Sequence, residues 1–94
     1  MVSPRFPSGR WLLALFTTLA HASAAMRVTL VCRGHLYDKM GEFHDAIRDF
    51  STIIELDPSN VNAFFSRGFS HDNNQDTESA VADYMHALEL DQRR

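Results

Sequence analysis

Ninety-four residues with 45 % hydrophobic and 22 % charged side chains place the chain among globular sequences and exclude a disordered or collagen-like polymer. A formal charge of −3 provides no electrostatic footprint for nucleic acid or an anionic membrane, and Arg93-Arg94 is too short to alter that. The single cysteine, Cys32, excludes an internal disulfide framework, a zinc knuckle and a paired-cysteine redox motif.

Residues 1–24 form an apolar leader. Arg5 and Arg10 precede the stretch from Trp11 to Ala20, and His21-Ala22-Ser23-Ala24-Ala25 comes next. A basic start, an apolar run and small residues at Ala22 and Ala24 are the order of a secretory signal peptide cleaved after Ala24. Thr17, Thr18 and His21 interrupt the run, which is too short for a stable membrane span of ~20 apolar residues. Two other readings stay open. Trp11, Leu12, Leu15, Phe16 and Leu19 make an apolar stripe at spacings of three and four, suited to an extra helix packed on the rest of the chain. Alternatively the segment is an unstructured leader, because Arg27 to Cys32 is β-branched and poorly helical while sharp patterning begins at Arg33.

Breaks at Lys39-Met40-Gly41-Glu42, at Asp57-Pro58-Ser59-Asn60 and at Asp72 to Asp76 divide residues 28–91 into four helices. Ser59 or Asn60 is placed to cap the third helix, and Asp76 or Thr77 the fourth. Ala46, Ile47, Phe50, Ile53 and Ile54 share one face of the second helix, and Ala80, Val81, Tyr84, Ala87 and Leu88 repeat that stripe in the fourth. Gly34 and Gly68 lie within the preceding helices, where glycine costs roughly 1 kcal/mol against alanine, so both predict close helix approach. Asp45, Asp49 and Asp83 with Arg48 read as a solvated helix face. Cys32 reads as a small side chain packed within the first repeat helix.

The pair Arg33-Gly34 recurs thirty-four residues later as Arg67-Gly68, and the same register aligns Asp38 with Asp72, Ala46 with Ala80, Asp49 with Asp83 and Glu55-Leu56-Asp57 with Glu89-Leu90-Asp91. Gly34, Tyr37, Ala46, Phe50 and Pro58 in the first copy, and Gly68, Ala80, Tyr84 and Ala87 in the second, resemble the tetratricopeptide repeat. His71 and Gln92 stand where that pattern has an aromatic and a proline, so the second copy is degenerate. The resemblance covers residues 27–94, with repeats at 27–60 and 61–94. It implies an all-α chain of two stacked antiparallel helix hairpins, part of a solenoid of this repeat type, preceded by the apolar N-terminal segment.

By the same resemblance the chain is a non-catalytic interaction module whose first helices line a concave groove for a peptide segment of a partner protein. The register puts Val31, His35, Asp38 and Lys39 in that groove from the first copy, and Asn62, Phe65, Phe69 and Asp72 from the second. Phe64 and Gly68 turn toward the stack. Chaperone-tail-binding relatives grip a carboxylate with a lysine and an asparagine at places occupied here by Val31 and His35, so that clamp is missing. Two repeats are few, since about three or more stacked units are expected to bury a continuous core. The open end is expected to show Tyr84, Leu88 or Phe65 to solvent. A structural unit that self-associates or docks on a longer repeat protein, and a truncated product without separate activity, are therefore the rival readings. The family's usual setting points to an intracellular location, and cleavage of residues 1–24 would point to the secretory pathway.

Enzymatic and metal chemistry find little support. The run from Asp72 to Asp83 imitates a calcium loop, but Thr77 stands where glycine is needed and the last ligand is aspartate. His21, His35, His44, His71 and His86 include no pair four apart. No phosphate loop, nucleophile elbow or matched acid pair is present, and no cofactor is expected.

Overall fold

The computed structural model describes the backbone of residues 9–93 and the side chains of residues 23–93. Four helices are arranged in chain order: α1 (Gly9–Met40), α2 (Phe43–Leu56), α3 (Val61–Asn73) and α4 (Thr77–Gln92). The signal-like cleavage site and the expected packing of Trp11, Leu12, Leu15, Phe16 and Leu19 concern side chains that lie largely outside the described residues. The backbone corrects one expectation, because Arg27 to Cys32 is helical within α1. Its β-branched residues carry only small intrinsic penalties, and burial of Leu30 with packing of Val31 against the core outweighs them.

Both hairpins turn in the same way. Glu42 N–H donates to Tyr37 C=O at 2.8 Å and Gly41 N–H to Asp38 C=O at 3.1 Å, the paired bonds of a Schellman helix end. The set recurs one repeat later, from Asp76 to His71 at 2.9 Å and from Gln75 to Asp72 at 3.0 Å. The left-handed position is Gly41 in the first hairpin (φ 79°) and Gln75 in the second (φ 64°). A side chain at Gln75 thus occupies backbone space that favours glycine.

The capping alternatives resolve cleanly. Asn60 accepts from Ala63 N–H at 3.1 Å and Asp76 from Ser79 N–H at 3.2 Å. Ser59 instead donates to Asp57, and Thr77 is the first residue of α4. Each cap satisfies an N–H that the first helical turn leaves without a partner.

The core runs through the first hairpin and its junction with the second: Leu30, Ala46, Phe50, Ile53 and Ala63 are buried together, with Val31, Tyr37 and Ile54 packed around them. Glycine sets the helix spacing. A Cβ at Gly34 would lie 2.8 Å from the ring of Phe50, and one at Gly68 would lie 2.8 Å from Tyr84. The expected close approach is met at both sites, each against the aromatic of its own hairpin.

Candidate functional site

The face presented by the first helices is fixed by what their other faces bury. Leu30 and Gly34 of α1, and Phe64 and Gly68 of α3, turn into the stack. That leaves Lys39, Asn62, Phe65, Phe69 and Asp72 exposed, with His35 beside them. Two candidates are committed elsewhere. Val31 is half-buried against the core, and Asp38 accepts from Ser70 Oγ at 2.8 and 2.9 Å to its two oxygens. His35 stands edge-on to Phe50 with ring centroids 5.3 Å apart, which orients the imidazole beside the core.

The two phenylalanines of α3 differ in surroundings. Phe65 is tilted against Tyr84 at 5.1 Å between centroids and helps line a depression of about 220 Å³ together with Val61, Ala87, Leu88 and Asp91. It belongs to the end of the stack as much as to the first-helix face. Phe69 is 51 % exposed. Tyr84 resists ionisation more than an ordinary phenol, because burial disfavours the phenolate and the charge of Asp72 adds to that.

The expectation of a solvated Asp45, Asp49, Asp83 and Arg48 face is corrected. Asp49 and Asp83 are buried, and only Asp45 and Arg48 pair at the surface. Arg33 Nε and Nη2 donate to the two oxygens of Asp49, both at 2.8 Å. Arg67 repeats the fork on Asp83 at 2.8 and 2.7 Å. Such two-point pairs fix orientation as well as charge. The hydrogen bonds and charge of Asp49 hold the Arg33 guanidinium protonated well beyond its ordinary range. Arg67 does one thing more: its Nη1 donates to Ser51 Oγ of the first hairpin at 3.3 Å. Its side chain is accordingly 23 % exposed, against 53 % for Arg33.

The Arg–Asp pairs were legible in principle, since arginine and aspartate sixteen residues apart recur together in both copies. Ser70 carried no comparable signal, having Leu36 as its counterpart. Cys32 is exposed rather than packed, because Leu30 and Gly34 take the inward positions of that turn. The would-be calcium loop is broken apart, with Asp83 buried on Arg67 in α4. Among the described residues no helix is long and apolar enough to cross a membrane.

Antiparallel helix pairs stacked in one register, with a glycine-to-aromatic contact and an arginine fork on a buried aspartate in each, define a helical repeat protein. Residues 28–60 and residues 61–94 both match the tetratricopeptide repeat, and the chain belongs to that family. It is similar to human tetratricopeptide repeat protein 34, with 32 % identity over 78 residues. That stretch is 83 % of this chain but only 13 % of the relative. Repeats of this family generally serve as protein–protein interaction modules, and the family is typically non-catalytic.

Proposed function

We propose that the chain is a non-catalytic adaptor whose first helices receive a peptide segment of a partner protein. The receiving face comprises Val31, His35, Asp38 and Lys39 of α1 with Asn62, Phe65, Phe69 and Asp72 of α3. The observation that carries this reading is the exposure of Phe69 on α3, where an aromatic ring gains little from water and much from a partner. Val31 and Asp38 serve mainly by positioning the wall, while His35, Lys39, Asn62 and Asp72 supply polar contacts around the aromatic anchors.

The test is selection of peptides from a displayed library on the full chain, followed by titration of the selected peptides. Phe69→Ala should weaken them by ~1–2 kcal/mol with little change in helical circular dichroism. Unchanged affinity would remove Phe69 from the binding face, and collapse of the helical signal would make it a core residue instead.

A second reading is favoured by the exposure of Phe65, Met85 and Leu88 at the end of the stack. In it the chain is an assembly unit that docks on another helical element or on its own copy.

A further inference from the structure

The turns that close the two hairpins share a backbone and differ in side chains. Tyr37, Gly41 and Glu42 of the first correspond to His71, Gln75 and Asp76 of the second. In the first turn the Arg33 guanidinium lies over the ring of Tyr37 at 5.9 Å from its centroid, glycine takes the left-handed position, and the Glu42 side chain makes no capping bond. The second turn replaces these features with charge. Asp76 caps α4 through Oδ1 and turns Oδ2 to His71 Nδ1 at 3.8 Å, while His71 Nε2 stands 3.7 Å from Asp83 Oδ2. The His71 side chain is 18 % exposed. Its backbone C=O accepts from Asp76 N–H at 2.9 Å and from Asn74 N–H at 3.1 Å, so the residue faces the start of α4 with ring and carbonyl together.

A neutral imidazole has one N–H and one lone pair, whereas a carboxylate on each side suits the charged ring, which donates from both nitrogens. Arg67, one helical turn before His71, opposes a second cation here. Its charge is matched by Asp83, which leaves Asp76 as the uncompensated carboxylate of the cluster. Asp72 on α3 and Glu78 in the first turn of α4 are exposed and add negative charge nearby. From α2, Ser51 reaches the cluster through Arg67, and from α1 the Asp38 carboxylate is held by Ser70. Among the described residues no carboxylate of α1 or α2 lies in ion-pair range of His71. The hydrogen bonds of Ser79, and after them the charge of His71, are among the causes that hold the Asp76 carboxyl below its ordinary value.

We propose that His71 is a pH-sensitive latch on the second hairpin: protonated, its ring bridges Asp76 at the start of α4 to Asp83 within that helix, and neutral, it releases one of them. The first hairpin, with Tyr37 in that place, has no such response. A turn whose left-handed position is Gln75 gives a latch leverage, because no glycine relieves the backbone there. The added contacts exist only while the ring is charged. The second hairpin is therefore tighter on the acid side of the histidine range and looser above it, and the latch is lost again at the lower pH where Asp76 itself takes up a proton.

Amide exchange on the full chain tests this, read as the protection of Asp76 N–H, which donates to His71, against that of Glu42 N–H, which donates to Tyr37. From pH ~7.5 to ~5.5 protection at Asp76 should rise about fivefold while that at Glu42 stays level. His71→Tyr, which restores the residue type of the first hairpin, should flatten the response, and His71→Gln should do the same if the tyrosine variant fails to fold. Asp76→Asn keeps a capping oxygen and removes the charge, so it should reduce the rise. A flat profile in the wild type would overturn the proposal. So would an equal rise at Glu42, a rise that persists without His71, or one that Asp76→Asn leaves intact.

Discussion

The first hairpin is closed and the second is half open, although one pattern of residues builds both. Phe50 and Tyr84 occupy the same position, meet the same glycine and sit beside the same Arg–Asp fork. Yet Phe50 is buried on all sides, while Tyr84 is half-exposed beside a depression. The difference comes from neighbours in the stack, not from local sequence. In a repeat protein a position acquires its energetic weight from the adjoining unit.

The sharpest way to break this comparison is to remove both rings. Phe50→Ala should cost about 3–5 kcal/mol in urea denaturation, since it empties a site at the centre of the core. Tyr84→Ala should cost only about 1–2 kcal/mol, because that ring is only partly buried. Equal losses would mean that the end face is covered in solution.

Next in size are the forks. Arg67→Met leaves the Asp83 carboxylate buried without its cation and also cuts the link to Ser51, for an expected loss on the order of 3 kcal/mol. Arg33→Met strands Asp49 but severs nothing across the junction. Probes in separate hairpins should therefore diverge only for the Arg67 variant.

The two turns provide a smaller contrast of opposite sign. Gln75→Gly should stabilise the chain by up to ~1 kcal/mol, whereas Gly41→Ala should destabilise it by about as much, as read from thermal midpoints. The same sign for both would show that the turns are not equivalent.

The least effect is confined to one helix end. Asp76 has its carboxyl held below the ordinary value of 3.8, chiefly by the side-chain and backbone hydrogen bonds of Ser79. Its contribution is complete above that ordinary value and is lost as pH falls through the lower folded value. Amide exchange at Ser79 should quicken there in the wild type, and Asp76→Asn should remove that pH dependence.

Helix number, both hairpins and the breaks between them were legible in the sequence, because Gly34, Gly68 and the apolar stripe of α2 are local and periodic. The stripe of α4 was only partly informative. Ala80 and Ala87 are buried as expected, but Val81 and Leu88 face solvent, and periodicity alone does not tell whether a neighbour is present. Asp49 and Asp83 were misjudged because charge argues for solvent, and what reverses that argument is a guanidinium sixteen residues away in sequence. Of the first-helix candidates, the sequence placed Lys39, Asn62, Phe69 and Asp72 on an accessible face. It did not reveal that Asp38 was engaged by Ser70, a contact across thirty-two residues.

That contact bears on how the molecule comes apart. Ser70 is wholly buried, and its hydroxyl faces a carboxylate borne by the neighbouring hairpin. Separating the hairpins would hydrate both groups at once, while partial fraying would strip the Asp38 carboxylate of its donor and leave Ser70 only the carbonyl of Ser66 in its own helix. The junction therefore penalises intermediates in which one hairpin persists alone, and thermal melting should spread through the pair as a single cooperative event.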